Sequence, residues 1–143
     1  SKTDVKIRKH FMDYRFLFEK ALETSKNAWC VYSDFPVGAA LLLDDDSIIV
    51  GVNVENRSYG ATNCAERTAI FAAISQGKKN FKALAIATPK SEYPVPPCGI
   101  CRQVISEFTS ENFPIIYGNS WESHIETTIS SLYPQDSLHE LAK

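Results

Sequence analysis

Apolar and polar positions along the first third of the chain predict a helix followed by a hairpin. Across residues 4–27, apolar side chains recur three or four positions apart, as on one face of an α-helix. The pattern then changes to two short apolar runs, residues 37–43 and 48–54, with the polar residues 44–47 between them. Two apolar runs joined by a polar turn predict a β-hairpin.

The rest of the chain predicts helices that alternate with strands. A second helix covers residues 64–76 and is apolar on most sides, which indicates burial, and a third begins at Cys98. The predicted strands are residues 84–88, 113–117 and 125–127, before a short helix in the tail. This order predicts an α/β protein, a three-layer α/β/α sandwich with a mixed five-stranded sheet. No linker interrupts the 143 residues, so we expect a single domain over residues 1–143.

Composition and charge narrow the class of partner. The chain is 44% hydrophobic and 22% charged, with a net charge of −2, as in ordinary globular proteins. A protein that follows a phosphate backbone needs a basic stripe, but no cationic run exceeds the pair Lys78 and Lys79. We therefore expect no nucleic acid polymer as a partner. A membrane span needs about 18 consecutive apolar residues, and the sequence has neither such a stretch nor the pattern of a signal peptide. We therefore expect no membrane contact and a cytoplasmic location.

Three of the four cysteines lie at predicted helix starts. Cys64 begins one helix, and Cys98 and Cys101 lie in the first turn of another. The positive N-terminus of a helix favours thiolate over thiol, and thiolates are ligands that suit Zn²⁺. Three protein ligands leave one tetrahedral position open, which is typical of a catalytic site. Glu66, two residues from a ligand, is then placed to take up and release protons.

Other interpretations of these cysteines remain open. Cys30 could complete a closed structural zinc site, as could a histidine, and Cys98 with Cys101 could form a redox pair. Neither alternative gives a role to Glu66 or to two polar residues further up the chain, Asn53 and Glu55. Cys30 by itself is typical of a small buried apolar side chain.

Four strings in register resemble those of the small cytidine deaminases of bacteria and eukaryotes. They are residues 32–41, YSDFPVGAAL; 53–56, NVEN; 64–69, CAERTA; and 97–104, PCGICRQV. The likeness runs from about Tyr14 to Leu132. It implies one Zn²⁺ ion per subunit, a homotetramer, and a hydrolase that deaminates cytidine and deoxycytidine to uridine and deoxyuridine plus ammonia, in pyrimidine salvage. Zinc deaminases pair such cysteine ligands with a glutamate that does not bind the metal.

The resemblance also implies roles for single residues. Glu66 moves protons from water to N3 and to the departing amino group of the cytosine. Asn53 and Glu55 hydrogen-bond the sugar hydroxyls, and their spacing of two places them on one side of an extended chain. Phe35 packs on the pyrimidine face, and the backbone N–H of Ala65 holds the base carbonyl oxygen.

Three further residues are implied around this site. Tyr59 reaches the site of a neighbouring subunit, and Arg67 and Gln103 lie next to the cysteines that bind zinc. Zn²⁺ with three thiolates carries a formal charge of about −1, so a guanidinium that donates to a ligand sulfur, as Arg67 would, restores the acidity of bound water. The chain departs from the family pattern at its end, where Tyr133 and Pro134 are followed by no Phe.

Three other functions compete with this interpretation. The same chemistry would serve a modified cytosine nucleoside or blasticidin S, although Asn53 and Glu55 favour an ordinary nucleoside. A polynucleotide deaminase needs a cationic channel, which the net charge of −2 opposes. A binding module whose zinc serves only folding would need four protein ligands.

Overall fold

Five strands form one mixed sheet in the computed structural model, which describes residues 13–136 and Leu141. The strands are β1, Gly38–Leu43; β2, Ile48–Val52; β3, Phe81–Ala87; β4, Pro114–Gly118; and β5, His124–Thr128. They lie in the order β2-β1-β3-β4-β5. Only β3 and β4 pair in parallel, and the other neighbours are antiparallel. The predicted mixed five-stranded sheet is confirmed.

Helices cover both faces of this sheet. Those in the described ranges are α1, Arg15–Thr24; α2, Ala65–Ser75; α3, Gly99–Phe108; and the short α4, Ile129–Leu132. Alternate residues of β1 enter two separate cores: Leu42 packs with α1, whereas Leu41 packs with α2 and α3. This explains why β1 is a continuous apolar run, since both faces of the strand are buried. The three-layer α/β/α sandwich is confirmed.

Some predicted boundaries differ from the observed ones. β3 begins three residues before the prediction, because Phe81 pairs with Leu43 beyond an irregularity, while the exposed Lys82 masks the strand in the sequence. β2 ends at Val52, two residues early, because the chain leaves the ladder at Asn53. Residues 4–12 of the first predicted helix lie outside the described residues, as does most of the predicted tail helix.

Close contact between β2 and the start of α2 places the site. A Cβ atom on Gly51 would lie 2.5 Å from the carbonyl oxygen of Ala65 and 2.5 Å from the backbone nitrogen of Ala69. Glycine therefore lets the first turn of α2 rest directly on the sheet. Over the described residues, no helix combines the length and the apolar character needed to cross a bilayer.

Candidate metal centre and substrate cavity

Two helix starts bring three cysteine sulfurs together. Cys64 and Cys98 are the residues immediately before α2 and α3, each with an extended backbone, and Cys101 lies in the first turn of α3. The three Sγ atoms lie within 4.8 Å of one another, and those of Cys64 and Cys98 are 3.9 Å apart. Two sulfurs bound to one tetrahedral zinc ion at about 2.3 Å would be about 3.8 Å apart. The three thiolates therefore fit a shared Zn²⁺ ion, and Cys30 is not part of this described group.

The electrostatics of the cluster favour negative charge on Cys64. Nη2 of Arg67 donates to Sγ of Cys64 over 3.1 Å. Hydrogen bonds from the Cys101 thiol and from Arg67 lower the pKa of Cys64 to about 5. The bond to Cys64, together with burial, raises the pKa of Cys101. Because metal ligands must be deprotonated, an ionised Cys64 prepares the site for a cation.

Glu66 is a buried carboxyl group beside this cluster. It lies in the first turn of α2 and is 4% exposed. Burial raises the pKa of Glu66 above the ordinary carboxyl value, although a hydrogen bond with Cys101 opposes that change. A carboxyl group whose pKa is raised toward neutrality is suited to accept a proton and return it.

One cavity of about 410 Å³ connects the metal ligands to the predicted substrate residues. Its walls include seven residues predicted from the sequence, namely Phe35, Asn53, Glu55, Cys64, Ala65, Glu66 and Cys98. The volume is within the range of small-molecule sites, about 300–1,000 Å³. Cysteine ligands and the buried Glu66 form one part of its wall, while polar groups from the end of β2 form another. The arrangement suits a small polar molecule that reaches the metal.

Polar groups at the end of β2 are already hydrogen-bonded to the protein. Oε1 of Glu55 accepts from the backbone N–H groups of Tyr32 and Ser33, both at 3.0 Å, and Oε2 accepts from the Ser33 hydroxyl. The bond from the Ser33 side chain is the main cause of the lowered pKa of Glu55. Asn53 accepts from the N–H of Val37 at 2.9 Å and donates to the carbonyl of Phe35 at 2.8 Å. These two side chains therefore fix the segment that carries Phe35.

Two predicted residues lie outside both the cavity and the cysteine cluster. Tyr59 is 81% exposed and packs edge-on against Tyr32, with ring centroids 6.4 Å apart. Gln103 accepts a hydrogen bond from the Tyr133 hydroxyl at 2.7 Å, so its described partner belongs to the end of the chain rather than to a cysteine.

Sequence reasoning assigned no role to two residues that support the site. Ser33 contacts Glu55, as described above. Arg102 donates through Nε to the carbonyl of Pro97 at 2.8 Å and through Nη1 to the carbonyl of Leu132 at 2.6 Å. Both residues lie inside the four strings quoted above. The contacts of Arg102 are to main-chain carbonyls, however, and no sequence pattern reveals contacts of that kind.

Comparisons with known proteins agree with this geometry. The family model "Cytidine and deoxycytidylate deaminase zinc-binding region" matches residues 12–117. A cytidine deaminase of Halalkalibacterium halodurans is 46% identical over 86% of this chain and 92% of its own length. One of Sporosarcina psychrophila is 47% identical over 86% of this chain and 90% of its own. The crystal structure of cytidine deaminase from Burkholderia pseudomallei has a TM-score of 0.82 at 38% identity, covering 87% of this chain and 99% of that one.

Proposed function

The chain belongs to the cytidine deaminase family, a family of hydrolytic deaminases that bind Zn²⁺, and from that premise we propose that it deaminates cytidine and deoxycytidine. The products would be uridine or deoxyuridine and ammonia, as pyrimidine salvage requires. The observation that carries this proposal is that one cavity is lined by Glu66, by two of the three clustered cysteines, Cys64 and Cys98, and by the polar groups that follow β2.

Cys64, Cys98 and Cys101 are the residues that would hold the zinc ion. When bound, Zn²⁺ supplies the Lewis acidity that makes water nucleophilic near neutral pH. Glu66 takes a proton from the attacking water and delivers it to N3 of the cytosine. Glu66, ionised again, then takes the second proton from the hydroxyl group now on C4 and delivers it to the amino group on the same carbon. The bond from C4 to that nitrogen breaks, ammonia leaves, and the oxygen of water becomes the new carbonyl oxygen.

Four other residues would bind and orient the nucleoside. Ala65 is the first residue of α2, where backbone N–H groups have no partner inside the helix, so its N–H is open to the base carbonyl oxygen. Phe35 would pack on the pyrimidine ring. Asn53 and Glu55 would hydrogen-bond the sugar hydroxyls. Each of these residues lines the same cavity, which is why we assign them to one substrate.

We also propose that the protein is a homotetramer in which Tyr59 reaches the cavity of a neighbouring subunit. Tyr59 lies on the surface against the exposed Tyr32, and Trp29 and Val31, which precede Tyr32 in the chain, are exposed as well. Apolar patches of this kind mark interaction sites, and burial against another subunit would remove them from water. The single domain, the cytoplasmic location and the absence of a nucleic acid partner stay predictions.

A substrate comparison tests the proposed function. The change in ultraviolet absorbance is followed after the purified protein is mixed with cytidine, deoxycytidine or blasticidin S, each with and without a zinc chelator. We expect turnover of both nucleosides, its loss with the chelator, and its return when zinc is added back. Turnover of blasticidin S alone would support the competing interpretation, and turnover of none of the three would contradict a deaminase of small cytosine compounds.

A further inference from the structure

Ser33 contacts two parts of the cavity wall at once. Its hydroxyl donates to Oε2 of Glu55 and accepts from the backbone N–H of Phe35, which lies 3.0 Å away. Its own backbone N–H donates to Oε1 of Glu55 at 3.0 Å. One serine thus joins the carboxylate that we assign to the sugar and the main chain of the residue that we assign to the base.

These side-chain contacts help to hold the segment around Ser33, together with backbone hydrogen bonds from Asp34 to Cys30 and from Asn53 to Val37. Residues 31–37 belong to no helix or strand, so ladder hydrogen bonds do not hold them. The N–H of Phe35 is bound by Ser33, and its carbonyl is bound by Asn53. Backbone groups that lack a regular partner must be satisfied in this way, and here the partners belong to the sugar end of the cavity.

The carboxylate of Glu55 has little spare capacity. Its two oxygens offer about four acceptor positions, and the bonds from Tyr32 and Ser33 occupy three of them. One position therefore remains for a substrate hydroxyl, in a direction that the Ser33 hydroxyl helps to fix. A nucleoside without that hydroxyl would leave the position unpaired.

We propose that Ser33 is a positioning residue that, through its hydrogen bonds to Glu55, sets the selectivity for nucleosides with a sugar hydroxyl. This inference rests on the proposed function, because it requires Glu55 to bind the sugar. A rival interpretation is that Ser33 only stabilises the turn. In that case its loss would affect all substrates alike, whereas a positioning role makes the effect depend on the sugar.

The test compares Ser33→Ala with the wild-type zinc enzyme on cytidine and on 2′,3′-dideoxycytidine. We expect kcat/KM for cytidine to fall about tenfold, mainly through KM, since a hydrogen bond to a charged group is lost. For dideoxycytidine we expect less than about a twofold change, because the Glu55 contact is already missing. Ser33→Thr retains a hydroxyl and should keep most of the wild-type selectivity, and it serves as the second variant should Ser33→Ala fold poorly.

Ser47→Ala is a matched control. The Ser47 hydroxyl also donates to a carboxylate, that of Asp45, in the exposed turn between β1 and β2, and neither residue lines the cavity. The kinetics of Ser47→Ala on both nucleosides should equal those of the wild type. Equal losses on both nucleosides in Ser33→Ala, or no loss on cytidine, would overturn the inference while the proposed function stands. Failure of the wild-type protein itself to deaminate cytidine would instead overturn the proposed function, and this inference with it.

Discussion

Arg67 and Cys64 are joined by a hydrogen bond from Nη2 of the arginine to Sγ of the cysteine, at 3.1 Å. The two residues lie three positions apart at the start of α2, so one turn of helix brings them together. The Arg67 guanidinium withdraws negative charge from the sulfur of Cys64 and so from the metal site. It also favours the thiolate form of Cys64, which metal binding requires.

We therefore expect Arg67→Ala to keep the fold and to lower kcat about 10- to 100-fold, the usual cost of losing such a contact beside a metal. Far-ultraviolet circular dichroism, zinc content and cytidine kinetics would be measured together. Arg15→Ala removes an arginine that pairs with Glu19 on the surface and is the control. Unchanged turnover in Arg67→Ala would show that the hydrogen bond to Cys64 has no part in catalysis.

A second prediction concerns the proton carrier. Glu66→Gln keeps the size of a buried side chain that is 4% exposed, but removes its ability to take up a proton. We expect zinc content to stay near one ion per chain and kcat to fall at least about 100-fold, within the usual contribution of acid–base catalysis. Zinc analysis by atomic absorption and single-turnover assays check both parts. Near wild-type turnover would mean that another group moves the protons.

The sequence predicts the chemistry of the site better than its supporting contacts. Cys64 and Cys98 can be recognised because each precedes a helix, although only the family likeness indicates that the two helix starts meet. The hydrogen bonds that hold Glu55 come from residues 22 and 23 positions earlier, in a segment with no regular structure. Hydrophobic periodicity carries no information about such contacts, so the role of Ser33 becomes visible only in three dimensions.

Arg102 provides a prediction about metal retention. Its guanidinium links the carbonyl of Pro97, which belongs to the peptide bond leading into Cys98, to the carbonyl of Leu132 at the end of α4. Cys98 is the most exposed of the three ligands and follows an irregular proline-rich loop, so we infer that this link limits its movement.

We expect Arg102→Ala to release zinc to a colorimetric chelator about tenfold faster than the wild type, with KM for cytidine little changed because Arg102 does not line the cavity. Ile129→Val should loosen the packing of α4 and removes no atom that Arg102 contacts, which makes it the control for general destabilisation. Equal release rates in the arginine and isoleucine variants would argue against a specific role for Arg102.

The lowered pKa of Glu55 predicts how stability depends on pH. Hydrogen bonding from Ser33 holds the folded-state pKa below the ordinary carboxyl value of about 4.3. The ionised group therefore stabilises the folded chain fully above about pH 4.3, and that contribution is lost as pH falls through the lower folded-state pKa. Urea unfolding of the wild type and Glu55→Gln should differ most near pH 7 and converge on acidification. Both proteins carry the same three cysteines, so we expect acid to remove zinc from both alike and their difference to report on Glu55. A gap that widens toward low pH would contradict the assignment.

The exposure of Tyr59 leads to a complementation experiment. If Tyr59 reaches the cavity of a neighbouring subunit, Tyr59→Ala and Glu66→Gln damage different chains of the same site. Homotetramers of either variant should have low activity, because Tyr59→Ala raises KM and Glu66→Gln lowers kcat. Hybrid tetramers formed by mixing and refolding should regain activity, because some sites combine an intact Glu66 with an intact Tyr59 from the Glu66→Gln chain. Light scattering would verify the tetramer mass before and after mixing. Activity that never exceeds the average of the two parent variants would place Tyr59, which is 81% exposed in the single chain, outside the active site of any subunit.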